Sequence, residues 1–247
     1  MTLKASALSA AIAAVVLGVW QLAGTTGMLS DLAPTPLGTW NSMAKILSDP
    51  VTIAQHVLAS LRRVAIGFAI ASAIAIPLGF FLGRSELFRR GMDPFIQILR
   101  PVSPLAWLPL GLALLRDSEL TALFVIVLTA MWPTLLATIA AVQQVNPTYL
   151  KLADTLGTPP LLRLTHVWFP AILPGVITGL RVSLSTSWLV IIAAEMLVGG
   201  SGIGFFVWNM WNRLDINAIV SAILIIGLVG LILDHAVAAL QKAVKYD

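Results

Sequence analysis

Four ionisable residues stand inside or at the edges of long apolar stretches: Arg100, Arg181, Glu195 and Asp234. A charge in a membrane span is costly and usually faces a bundle interior or a wet path. Arginines on such a path would suit an anion. In the competing reading, Arg100, Arg181 and Asp234 lie close enough to the inner surface for their charged heads to reach water. Glu195 has a short stem and reaches poorly, so it should have a partner, either an arginine or backbone donors. Ser183, Ser185, Thr186, Ser187 and Trp188 fall between Arg181 and Glu195. Ser183, Thr186 and Ser187 share a helical face, and such hydroxyls either donate to an anion in transit or let helices pack closely. Trp107 and Trp132, each near a proline, could narrow a pore or fill the bend.

Other chemistry is missing. No Gly-Lys-Ser/Thr phosphate loop occurs, and the glycine cluster at 199–204 has no lysine after it, so this chain is not expected to hydrolyse ATP. His56, His166 and His235 are scattered without acidic or cysteine partners at ligand spacing, which argues against a metal site. No Gly-x-Ser-x-Gly nucleophile motif is present. The absence of cysteine excludes disulfides and thiol catalysis.

The elements that must position these residues are membrane helices. Of 247 residues, 58% are hydrophobic and 11% charged, against about 25% charged in soluble domains. Crossing ~30 Å of hydrocarbon takes about 20 apolar residues, and helices are the economical solution. The sequence predicts an all-α integral membrane protein of about six transmembrane helices in one domain, 1–247. The net charge of +4 comes without a basic run, so nucleic acid is not a partner.

In chain order, Lys4 and the run 5–23 read as an uncleaved first span. The stretch 25–51 reads as an external connection with at most a short interfacial helix. A second span follows at about 64–82, bent near Pro77 and Gly79, and then a short loop carrying Arg84, Arg89 and Arg90. The third span, about 94–115, is broken by Pro101, Pro104 and Pro109, which is tolerated only where protein or a wet cavity satisfies the freed carbonyls. Spans at about 120–142, 175–198 and 218–240 complete the set, with Trp208 and Trp211 suited to an interfacial belt.

With both termini cytoplasmic, inner segments carry Lys4, Arg84, Arg89, Arg90, Lys151, Arg163, Lys242 and Lys245. Outer segments carry Lys45, Arg62, Arg63, Arg116 and Arg213. The bias follows the positive-inside rule.

Between the fourth and fifth spans lies the polar stretch 151–170, within a loop of about 146–172. Its first helix should stop at Gly157, and Pro159 and Pro160 forbid continuation, with Pro160 suited to the first turn of a second short helix. The result is a compact knob beside the bilayer.

This stretch resembles the cytoplasmic coupling loop of permease subunits of ATP-binding-cassette (ABC) importers. That loop reads Glu-Ala-Ala, three residues, Gly, nine residues, Ile-x-Leu-Pro. Ala153 matches the second alanine, Gly157 the glycine, Val167 the isoleucine and Pro170 the proline, with Phe169 in the leucine place. Lys151 stands where glutamate is usual and Leu152 where the first alanine is usual, a departure that bears on one salt bridge to the ATPase. The runs 99–109, 178–195, 202–209 and 230–234 resemble the branch serving nitrate, sulfonate, taurine and bicarbonate, closest to nitrate-type permeases.

The resemblance implies a type I importer permease in the bacterial inner membrane. A second permease copy, two ATPase subunits that hold ATP and magnesium, and an external substrate-binding protein would be its partners. Lys151, Leu152, Ala153, Asp154, Leu156, Gly157, Val167 and Pro170 would meet the ATPase. Arg100, Trp107, Arg181, Ser183, Ser187, Trp188 and Glu195 are the candidates for the translocation path. The cargo would be a small oxyanion, nitrate first, with a sulfonate or taurine importer as the alternative within the class. An autonomous channel or secondary carrier, or a membrane enzyme, are the alternatives outside it.

Overall fold

The computed structural model describes residues 3–26 and 33–244, all of whose regular elements are helical. The side chains of Lys4 and Lys242, Lys245 altogether, and part of the connection 25–51 lie outside the described residues. The helices are α1 (Leu3–Thr25), α2 (Pro36–Ser48), α3 (Pro50–Arg84), α4 (Glu86–Leu99), α5 (Leu108–Leu115), α6 (Ser118–Gln143), α7 (Pro147–Thr155), α8 (Pro160–Arg163), α9 (Phe169–Val198), α10 (Ile203–Asn212) and α11 (Ile216–Val244). Five are long and apolar enough to cross a membrane, or six if a bent pair counts as one span.

The starts of these helices are written locally. Thr35 before Pro36, Asp49 before Pro50 and Asn146 before Pro147 each place a capping oxygen ahead of a proline. The oxygen satisfies one of the free N–H groups of the first turn, and proline removes another. At α6 the Asp117 carboxylate accepts from the Leu120 N–H at 2.7 Å.

The centre is a three-helix sandwich of α3, α6 and α9. Small residues set its spacing: a Cβ on Gly79 would come within 2.7 Å of Thr138 Cβ, and one on Gly67 within 2.6 Å of Ile126. Without side chains at these points the backbones approach closely, which is how helices associate where no hydrophobic drive operates. Val64, Val125, Ile126, Trp188, Ile191 and Ile203 fill one end. Ala75, Leu82, Leu135 and Ile139 fill part of the other.

Three expectations change, while the predicted break in the third span is found. The basic residues 84–90 are not in a loop: Arg84 ends α3, and only Ser85 separates it from the start of α4 at Glu86. Leu87, Phe88 and Phe95 are exposed on this amphipathic helix, while Arg90–Glu86 (2.5 Å) and Arg89–Asp93 (3.6 Å) pair along it, so its charges are satisfied without a loop. The third span is two helical pieces, Glu86–Leu99 and Pro104–Leu115, bent by 83°. Pro101 and Pro104 lack the N–H groups a continuous helix would use, and the chain resumes through a 3₁₀ turn at Pro104–Trp107. Helix α3 runs unbroken through Pro77 and includes Arg62 and Arg63, rather than beginning after them. Helix α9 begins at Phe169 rather than near 175.

Candidate coupling loop and translocation groove

The knob is built as its residues dictate, up to Gly157. The Asn146 Oδ1 caps α7 through the Thr148 N–H at 2.9 Å. At the other end Gly157 has φ +62°. Its N–H bonds to the Asp154 carbonyl and that of Thr158 to the Ala153 carbonyl, both at 3.0 Å. This paired closure satisfies two orphan carbonyls and requires a left-handed residue at position 157.

Beyond Gly157 the structure differs from a separate second helix. Four residues of α8 run into a wider π turn, Leu164–Trp168, and directly into α9. Pro170 explains the turn: its ring crowds the carbonyl four residues back, and the Phe169 N–H instead reaches the Leu164 carbonyl. Asp154 pairs with Arg163, tying α7 to α8. Trp168 is buried edge-on against Phe80 at 5.5 Å, and the Arg84 guanidinium lies over both rings. This fastens the knob to the end of α3.

An apolar groove of about 560 Å³ opens on the knob. It brings together Leu152, Ala153, Leu156, Val167 and Pro170 from the predicted set and adds Tyr149, Leu162 and His166. Leu152 and Leu156 are exposed, Leu156 by 72%. Lys151 and Asp154 lie outside the groove, Lys151 exposed on α7.

The path candidates divide. Ser183 and Ser187 are fully buried: Ser183 donates to the Ala130 carbonyl of α6 and Ser187 to the Ser183 carbonyl, each at 2.7 Å. The Ser183 bond ties α9 to α6, and the Ser187 bond stays within α9. Trp188 is buried with its indole N–H on the Ile226 carbonyl at 3.1 Å. Trp107 is half-buried at the end of the 3₁₀ turn. Arg181 meets Asp234 through two hydrogen bonds, 2.8 and 2.7 Å. Arg100, at the break of the bent span, lines a groove of about 570 Å³ with Pro104, Thr129, Trp132, Thr178 and Thr186.

Glu195 has both expected kinds of partner. Its carboxylate accepts from Arg63 Nη1 at 2.7 Å, from Ser60 Oγ at 2.8 Å and from the Gly204 N–H at 3.0 Å. Arg63 also binds Glu119 at 2.7 Å and Ser201, so one guanidinium joins α3, α6, α9 and the glycine turn. Gly202, φ +114°, packs where a Cβ would overlap the Glu195 carboxylate. Sequence reasoning missed Arg63, Ser60 and Glu119, because residues 63 and 195 are 132 positions apart and no local pattern links them.

Spans packed through glycine, one of them broken, with a fastened knob at one end and an arginine-lined groove, define a multi-pass helical membrane protein. Residues 75–246 match the model of the family described as binding-protein-dependent transport system inner membrane component. The chain belongs to that family and is a multi-pass inner-membrane permease subunit.

It is similar to the nitrate import permease protein NrtB of Synechocystis sp., 39% identical with 94% of this chain and 86% of the relative covered. The bicarbonate transport system permease protein CmpB of the same organism is 36% identical, covering 92% of this chain and 84% of the relative. The taurine transport system permease protein TauC of Escherichia coli is 31% identical, covering 95% and 87%. The fold is shared with a chain of the MetNI methionine ABC transporter in an inward-facing conformation, TM-score 0.66 at 15% identity, covering 81% of this chain and 99% of the other.

Proposed function

We propose that this chain is the permease of an ATP-driven importer for a small oxyanion, nitrate first, working as a homodimer with two ATPase subunits inside and a substrate-binding protein outside. The knob at 146–172 meets the ATPase, which supplies nucleotide and magnesium. Leu152, Leu156, Val167 and Pro170 offer an apolar socket, and Lys151, Asp154 and the Gly157 turn set its rim and angle. Both termini are cytoplasmic in this reading. Its support is that Arg84 stacks on Trp168, so the basic residues 84–90 and the knob share one end of the bundle. Nucleotide and loaded binding protein then bias one two-state equilibrium of the spans.

The observation that carries the reading is the exposed, fastened knob, together with 39% identity to a nitrate permease. Proteoliposomes holding the permease, its ATPase and its binding protein should take up nitrate only with internal ATP, with taurine competing weakly. Equal uptake without ATP rejects an ATP-driven importer. Stronger competition by taurine favours the sulfonate reading, to which the roomy 570 Å³ groove would also be suited.

A further inference from the structure

Arg63 on α3, Arg181 on α9 and Arg100 at the break of the bent span differ in what they hold. Arg63 is saturated by two carboxylates and Ser201, and Arg181 by Asp234. Arg100 has no carboxylate and no hydrogen-bond acceptor among the described residues. It lies on a groove that runs along α6 from Thr129 to Ala137 and along α9 from Thr178 to Val190, about 12 to 18 Å at 1.5 Å per residue. Arg100 is exposed, so its guanidinium is open to whatever enters the groove.

The rest of the lining fits an anion. No acidic residue lines the groove. Trp132 has an indole N–H with no partner among the described residues, and an indole nitrogen can only donate. Thr129 and Thr186 give their protons to carbonyls of their own helix, at 2.7 and 3.0 Å. Those carbonyls already serve the helix, so the hydroxyls can turn outward to a ligand.

We propose that this groove is an anion subsite of the permease, with Arg100 as its cation and Trp132, Thr129 and Thr186 as neutral donors, taking a small monovalent oxyanion. The inference rests on the importer reading and deepens it. The planar guanidinium presents parallel N–H groups to two oxygens of one anion, which a neutral side chain cannot reproduce. The subsite therefore selects against uncharged solutes within the membrane, separately from any choice the external binding protein makes.

Two measurements on the assembled transporter test this. In proteoliposomes, uptake of nitrate, bicarbonate and taurine is compared for wild type, Arg100→Gln, Arg100→Lys and a control, Arg213→Gln, outside the groove. For the anion carried, Arg100→Gln should lower uptake at subsaturating concentration by about tenfold or more, the equivalent of one charge-assisted contact. Arg100→Lys should recover part of the loss, and the control should match wild type. In phosphatidylcholine nanodiscs, the fluorescence difference between wild type and Trp132→Phe isolates Trp132. Its quenching by iodide should fall severalfold with Arg100→Gln, while quenching by neutral acrylamide stays unchanged. Uptake of Arg100→Gln within twofold of wild type, or iodide quenching insensitive to residue 100, overturns the subsite. If wild type carries taurine or bicarbonate but not nitrate and Arg100→Gln loses that transport, the nitrate reading falls and the subsite stands. If none of the three anions is carried, the iodide measurement alone decides.

Discussion

The Arg63–Glu195 pair allows an asymmetric prediction. Both side chains are nearly sealed, 7% and 1% exposed, and removing one partner of a buried pair leaves an uncompensated charge at a cost of about 3–5 kcal/mol. The two ends are not equivalent. Among the described residues Glu195 has Arg63 as its one ion-pair partner, whereas Arg63 keeps Glu119 and Ser201 if Glu195 is neutralised. Arg63→Met should therefore cost about 3–5 kcal/mol. Glu195→Gln keeps acceptors for Ser60 and Gly204 and should cost only about 1–2 kcal/mol. The double variant no longer buries a lone charge and should be more stable than Arg63→Met, with a coupling of about 2 kcal/mol. Equilibrium unfolding in mixed detergent micelles, read by tryptophan fluorescence, gives all three values. Equal costs for the single variants, adding within about 0.5 kcal/mol in the double, would refute the assignment of Arg63 as the hub.

Gly157→Val should leave assembly and basal ATP hydrolysis intact while uptake fails, because a β-branched residue at φ +62° strains the knob by about 1–2 kcal/mol. Gly157→Asn, which tolerates that conformation, should restore uptake. Gly202→Ala should lower the melting temperature more than Gly200→Ala. Both residues have positive φ, but a Cβ at 202 meets the Glu195 carboxylate and one at 200 meets nothing within 4 Å. Arg181→Gln should leave the melting temperature close to wild type, since its pair with Asp234 is solvent-screened, 39% and 37% exposed. A tenfold loss of nitrate uptake in a stable Arg181→Gln transporter would place Arg181 on the path.

What could be read from the sequence was whatever a few adjacent residues decide. Proline after a capping side chain marks the start of α7, and Gly157 marks its end, because cap and left-handed turn are local requirements. The break at Pro101 and Pro104 was legible for the same reason. The lone guanidinium was also visible as a charge among apolar residues, but not its lack of a partner, which depends on what α6 and α9 bring to it. The amphipathic α4 was hidden because three arginines in seven residues look like a loop until their i,i+4 acids are counted. The seamless join of α8 to α9 was hidden because Pro170 and Pro174 suggest a break, whereas a single widened turn absorbs the crowding at Pro170. Ser183 and Ser187 shared a face as spacing required, and only the packing of α6 decides which face.

The continuity of residues 160–198 has a mechanical consequence. The 39 residues form one rod of about 58 Å, with the knob at one end and Glu195 near the other. The helix runs on through the widened turn at 164–168 and through Pro174. A tilt of about 5° imposed at the knob would swing the far end by about 5 Å at this length, enough to open or shut a passage the width of a small ion. The anchor there is the Arg63 cluster, so the lever and its counterweight are both built into the fold. Stiffness, more than affinity at either end, then decides how much of a push arrives.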